Sequence, residues 1–372
     1  MSTRPGETLG IFVLCSVNNA AALTVSVVMK GWILSSMAAA SVGMLAEAGC
    51  PADLTGDRIV NGDDLGVLLG SWGSSGGKTG ADIDANGTVD GDDLGMLLAA
   101  WGPCSITVPE WATLVEAVPD PSVVVDAALR ESIAATGLAW RVRDTATQVE
   151  MLLVPPGTFD MGCISPSTGA SCFAQELPVH AVTLTRAVYV GRYELTQSQW
   201  MATTGSNPSF WGPNFSSDWA NRPVEQVTFT GVQAYLAATG MRLPTEAEWE
   251  HACRAGTQTP FHNGSAEGSS IGPIAWHGGN SGGFTHPVGT KAGNALGLHD
   301  MHGNVYEWVS DWYDLYPATP QVDPTGPATA TRRVIRGGSW INNATFLRSS
   351  FRNGELPGNK GNGLGFRVAR DP

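Results

Sequence analysis

Two acidic segments, 53–64 (DLTGDRIVNGDD) and 82–93 (DIDANGTVDGDD), repeat at a spacing of 29 residues, and each runs into the same pattern, DDLGVLLGSWG and DDLGMLLAAWG. A unit used twice constrains the fold strongly, because each half must bury its apolar side against its copy. Oxygen-bearing side chains fall at loop positions 1, 3, 5, 9 and 12: Asp53, Thr55, Asp57, Asn61 and Asp64, then Asp82, Asp84, Asn86, Asp90 and Asp93. The backbone carbonyls of Ile59 and Thr88 occupy position 7. Calcium takes six to eight oxygens, and a twelve-residue loop with this spacing wraps it. The sharp turn at position 6 favours glycine; Gly87 supplies it in the second loop, while Arg58 stands there in the first, which predicts a weaker first site. Cys50 and Cys104 bracket the repeat, and a bond between them would staple a unit too small to rely on its core.

These residues resemble a type I dockerin, two loop–helix halves built from EF-hand loops. The resemblance implies calcium dependence and a cohesin-like receptor as partner. The near-identical pairs Gly62-Asp63 and Gly91-Asp92 would allow two symmetric docking poses.

The chain has 372 residues, room for two or three domains, and is loop-rich, with 46 Gly, 13 Trp and 15% charged residues. A net charge of −13 argues against a nucleic-acid partner. Residues 1–48 are read as a leader. From Met29, MKGWILSSMAAASVGMLAEA has a positive start, an apolar middle and an Ala46-x-Ala48 cleavage site, so the expected start is Met29 and the expected cut follows Ala48. Export would place the protein outside the cell or on its surface and permit disulfides. Cys163 and Cys172 flank a Ser/Pro/Gly loop and are expected to close it; Cys253, on a helix, reads as a small buried hydrophobe.

Residues 50–104 are thus the repeat, 105–139 a connector with a helix within 122–136 closed by Gly137, and 140–372 a third region in which strand-like runs alternate with turns. Capping boxes at Thr196/Gln199, Thr230/Gln233 and Thr245/Glu248 announce its few helices. The ordered segments MLLVPPGTFDMG (151–162), GRYELTQSQW (191–200), RPVEQVTF (222–229), RLPTEAEWEHACRAG (242–256), GLHDMHGNVYEWVSDWY (297–313), RVIRGGSW (333–340) and GLGFRVAR (363–370) resemble the formylglycine-generating enzyme, or sulfatase-modifying factor, family. The resemblance implies an α+β fold, a C-type-lectin variant with little regular structure. That fold carries oxidases and non-catalytic binders alike, so it does not by itself define function.

In the family's oxidases a pair of cysteines after the GGS segment holds Cu(I), a soft ion suited to two thiolates. The matching positions here are Asn342 and Leu347, so copper is not expected. Ser339 and Arg348 match a family active-site serine and an arginine of the substrate groove; each reads equally as support of the GGSW turn. The resemblance also implies a calcium ion held by Asp300, the carbonyls of Gly303 and Val305, and Glu307, with Glu307 alternatively a buried carboxylate paired with an arginine. A second family calcium site would lie near 276–284, with Asn280 and Ser281. His180 reads as a strand-orienting residue. Trp308, Trp312, Tyr313 and Trp340 are candidates to line a groove for a peptide or glycan. Three readings compete: a binding domain without copper, an oxidase working by a non-thiolate route, and an assembly component acting through the repeat.

Overall fold

The computed structural model describes residues 50–55, 59–75, 80–164, 172–265 and 270–372, together with the backbone of a hairpin formed by strands Phe12–Val17 and Leu23–Val28. The expected Met29 start, the cut after Ala48 and the ligand Asp57 lie outside the described residues. Residues 1–46 and 47–372 form separate compact units. Among the described residues no helix is long and apolar enough to cross a membrane.

The repeat folds as two copies of loop and helix. Helices Gly62–Gly70 and Gly91–Ala99 each begin at the ninth loop residue, Asn61 or Asp90, whose side chain caps the helix. Their core consists of equivalent pairs: Ala52 with Ala81, Val60 with Val89, Leu68 with Leu97. Strand Ile59–Val60 pairs with Gly102–Pro103, and the Cys50–Cys104 disulfide forms as expected.

The C-terminal region is built on three small sheets. Five strands run in the order Ala369–Arg370, Val188–Gly191, Glu150–Val154, Arg141–Asp144, Ala112–Glu116. Four run Arg352–Glu355, Arg333–Arg336, Tyr306–Trp312, Leu364–Gly365, and three run Gln321–Val322, His180–Leu184, Gly157–Met161. One apolar core, including Trp140, Tyr189, Trp249, Trp308 and Phe366, sits among sheets and helices. Fully buried arginines cross it: Arg336, Arg352 and Arg367 are each matched by a buried glutamate.

Two expectations change. The stretch 105–139 is no free connector, because strand Ala112–Glu116 forms the edge of the five-stranded sheet and the Trp111 indole donates to the Asp371 carbonyl. Its helix spans Ala127–Ala134, capped by Asp126, and Gly137 turns the chain at φ +68°. The helix Phe229–Thr239 starts two residues before the position the Thr230 box implied: Thr228 is its cap and accepts from Gly231 N. The other two boxes form as read, and Gly240 ends the second helix at φ +69°.

Candidate metal centres and binding groove

In the second loop the carboxylates of Asp82, Asp84 and Asp93 bring one oxygen each within 4.8 Å of one another. Asp82 Oδ1 is buried without a partner, while its Oδ2 accepts from Gly87 N at 2.9 Å. An orphaned buried carboxylate oxygen beside two others is what a hard dication neutralises. Asp93 gathers the N–H groups of Ile83, Asp84 and Asp90, and these, that of Asp90 foremost, hold it below the usual carboxylate range. Asp64 does the same in the first loop with Leu54, Thr55 and Asn61. Thus the second loop fits calcium by its donor set. In the first, Asp53, Thr55, Asn61 and Asp64 are described and Asp57 is not.

The C-terminal candidates are arranged differently from expectation. Asp300 is 2% exposed, sits at φ +57°, and accepts from Gly289 N with Oδ2, while Oδ1 is buried without a partner. Burial pushes its carboxyl up to about 6. Glu307, by contrast, has both oxygens engaged: Arg367 donates to each at 2.7 Å and the Trp249 indole adds 2.6 Å to Oε2. The arginine-paired alternative is therefore what the geometry shows, and Asp300 is the residue whose environment asks for a cation. Sequence reading missed Glu194. It is wholly buried, accepts from Val305 N and Asn304 Nδ2, and is pushed well up by burial and by Asp300 and Glu307. At 276–284 the side chains are spent on structure: Asn280 caps His277 N and donates to the Ala275 carbonyl, and Ser281 donates to the Trp340 carbonyl.

The two positions that match the family's copper-binding cysteines are taken up by other contacts. Asn342 Oδ1 accepts from Ser339 N and Oγ at 3.0 and 2.7 Å, closing the GGSW turn. Leu347 has no exposed surface and packs with Phe261, Ile271, Ile274 and Ala275. Cys163 and Cys172 are bonded to each other. Cys253 is fully buried, and burial pushes its thiol up to about 12, the opposite of a thiolate ligand. Arg348 is equally committed: Nη2 donates to Glu176 at 2.8 Å, Nη1 to Cys163 Sγ at 3.1 Å, and its guanidinium lies over Phe173. Ser339 therefore braces the turn through Asn342, whereas Arg348 ties the segment after that turn to Glu176 and Cys163. His180 orients its strand through a contact with the Pro178 carbonyl.

Beside Trp340 lies an aromatic shelf. Trp211 packs edge-on against Phe210, Phe215 and Trp340 at centroid distances of 4.7, 4.6 and 5.7 Å. Both indole N–H groups, of Trp211 and Trp340, donate to the Asn362 carbonyl. Phe210 and Phe215 are 62% and 44% exposed and flank the same indole, so they form a contiguous apolar patch rather than scattered single residues. Beneath them Glu225 is fully buried; Oε1 accepts from Trp211 N at 2.8 Å, Oε2 has no partner, and burial pushes the carboxyl up to about 7. Of the four aromatics expected at a groove, Trp340 belongs to this shelf. Trp308 is a core residue donating to the Val227 carbonyl, and Trp312 and Tyr313 lie elsewhere, against Arg333 and Arg352.

A family model for the sulfatase-modifying factor enzyme 1-like domain matches residues 139–372. The formylglycine-generating enzyme of Streptomyces coelicolor is 36% identical over 171 residues, which cover 41% of this chain and 53% of that protein. The hercynine oxygenase of Mycolicibacterium smegmatis is 31% identical over 268 residues, 59% of this chain and 61% of that protein. Among solved structures, PvdO from Pseudomonas aeruginosa is 32% identical at a TM-score of 0.54, covering 62% of this chain and 98% of PvdO. The chain spans between 24% and 64% of the length of the curated relatives it matches.

Proposed function

Since the chain belongs to the sulfatase-modifying factor family, we propose that its C-terminal domain is a binding module of an exported, calcium-stabilised protein and does not run copper-dependent oxidation. The observation that carries this reading is Leu347, packed without exposure in an apolar cluster where a second thiolate would have to stand. The aromatic shelf of Phe210, Trp211 and Phe215, backed by the buried Trp340, supports a peptide or glycan as the ligand, because flat, partly exposed rings suit both. Two disulfides support an oxidising compartment. The test is direct. Protein loaded with Cu(I) under reducing conditions is mixed with a sulfatase-type CxPxR peptide, and no aldehyde is expected; formylglycine in the peptide would overturn the reading in favour of an oxidase working by a non-thiolate route.

A second role belongs to the dockerin-like repeat, whose part would be attachment to a cohesin-like receptor. What favours it is a matched pair of exposed tryptophans, Trp72 at 48% and Trp101 at 51%, one on each half. In this reading calcium in the second loop holds helix Gly91–Ala99, which Trp101 follows by two residues as Trp72 follows the first helix. Pull-down of a receptor should be lost on chelation, and binding unchanged in EDTA would count against it.

A further inference from the structure

A cavity of about 420 Å³ lies where the start of helix Glu246–Arg254 meets the end of strand Tyr306–Trp312, roofed by the proline-rich strap 314–327. Its volume falls in the range of small-molecule sites. Neither the aromatic shelf nor the calcium candidates contribute to it.

Asp311 is the informative wall residue. It is 4% exposed, and its Oδ2 is used inside the protein, accepting from Glu246 N at 2.8 Å and Ser310 Oγ at 3.0 Å. Oδ1 accepts no hydrogen bond and faces Gly326 of the strap. A Cβ placed on Gly326, which sits at φ +71°, would come within 3.2 Å of that oxygen and 3.0 Å of Asp311 Cβ. Glycine at this position keeps the approach to Oδ1 open.

The charge balance of the wall is one-sided. Asp311, Asp314 and Asp323 line the cavity, and none of them enters a salt bridge among the described residues. The guanidinium in the wall, Arg352, is spent: Nε and Nη2 each meet a Glu246 oxygen at 2.7 Å, and Nη1 donates to the Asp314 carbonyl at 2.6 Å. Arg352 is thus engaged first with Glu246 and acts on Asp311 only through space. Asp323 accepts from Thr185 with both oxygens and Asp314 Oδ1 accepts from Leu315 N, so Asp311 Oδ1 is the wall oxygen left open to a ligand. Arg333, which Asp311 also feels, is stacked on Trp312 at 3.5 Å and donates to the Ser310 carbonyl. Tyr316 is packed against His180 at 4.9 Å and lies under the Arg352 guanidinium at 4.1 Å, so its ring holds Arg352 in place in the wall.

We propose that this cavity binds a small organic cation, an amine or guanidinium head that donates to Asp311 Oδ1 while its alkyl chain runs out past Leu315. A charge-assisted hydrogen bond to a buried carboxylate is the chemistry by which proteins hold such groups. Burial first, then Glu246, pushes the Asp311 carboxyl up to about 7. A bound cation takes the place of that proton, so binding tightens as the carboxyl ionises.

Agmatine is the probe, titrated calorimetrically into the full chain with calcium present, and butyrate is the control. Binding should be saturable at one site and several-fold tighter at about pH 8.5 than at about pH 6. Asp311→Asn keeps an oxygen for the Glu246 N–H but removes the charge, and should weaken agmatine by about tenfold or more. Leu315→Arg alters an exposed residue and sets a tethered cation at the mouth, so it should compete with agmatine without touching the core. Binding that survives either substitution in folded protein, butyrate binding as well as agmatine does, or no saturable binding at both pH values overturns the proposal.

Discussion

Arg367 closes on Glu307 through two parallel contacts, Nε to Oε2 and Nη2 to Oε1, each 2.7 Å, and neither side chain reaches solvent. The pair ties the central strand Tyr306–Trp312 to the chain's last segment, and Arg367 also donates to the carbonyls of Gly191 and His299. Removing one partner leaves a buried charge without compensation, at a cost of about 3–5 kcal/mol. Arg367→Met should therefore lower the urea midpoint sharply. The double variant Arg367→Met/Glu307→Met should recover part of the loss, because it removes both charges together. If the double variant is no better than the single one, the pair is not acting as a charge unit.

Calcium linkage gives a prediction of its own. An ion that binds the folded repeat alone stabilises it by about 2.7 kcal/mol at a hundredfold excess over Kd. EDTA should lower the melting temperature of the repeat, and Asp82→Asn with Asp84→Asn should remove most of that sensitivity, leaving what the weaker first loop contributes. Asp300→Asn should reduce any calcium-dependent shift of the C-terminal region, since Asp300 Oδ1 is the oxygen left without a partner there. Calorimetry with and without EDTA reads both. An undiminished shift in the Asp82/Asp84 variant would remove the second loop from the ligand set.

The Cys50–Cys104 bond spans 54 residues, nearly the whole repeat. Closing a loop of that length restricts the unfolded chain by about 4 kcal/mol in the chain-entropy view. The repeat's own core is six small or medium side chains. Reduction in calcium-free buffer should therefore unfold it, and reduction in saturating calcium should leave it folded. Limited proteolysis within 50–104 distinguishes the two states.

Much of this architecture was legible because it rests on local chemistry. The loop spacing announced the repeat, and the Thr196 and Thr245 boxes cap the helices they were read to cap. The Thr230 box did not, because Thr228 offers the same hydroxyl two residues earlier and its side chain reaches Gly231 N. The strand Ala112–Glu116 was missed for another reason: it lies at a sheet edge, with Leu114 half out in solvent, so it lacks the alternation that marks a strand. Partnerships across long separations were also invisible. Glu307 and Arg367 are 60 residues apart, and no spacing rule connects them. Glu225 beneath Trp211 was hidden likewise, although a glutamate inside an apolar run, PVEQV, was a signal that something buried needed an acid.

Glu225 supplies the last prediction. Its folded carboxyl is raised by burial from 4.5 to about 7. The folded state therefore keeps a proton that the unfolded chain has released. The associated stability is complete below about pH 4.5 and is lost as pH rises through about 7, by an amount on the order of 2–3 kcal/mol. Asp311, raised to about 7 in the same sense, adds to the slope. Glu225→Gln is neutral at every pH and keeps an oxygen for the Trp211 N–H. Urea unfolding at fixed calcium should show the native protein losing stability between about pH 5 and about pH 8, and the variant losing less. At pH 8 the variant should be the more stable of the two. Parallel pH profiles for the two proteins would mean that Glu225 does not carry the proton.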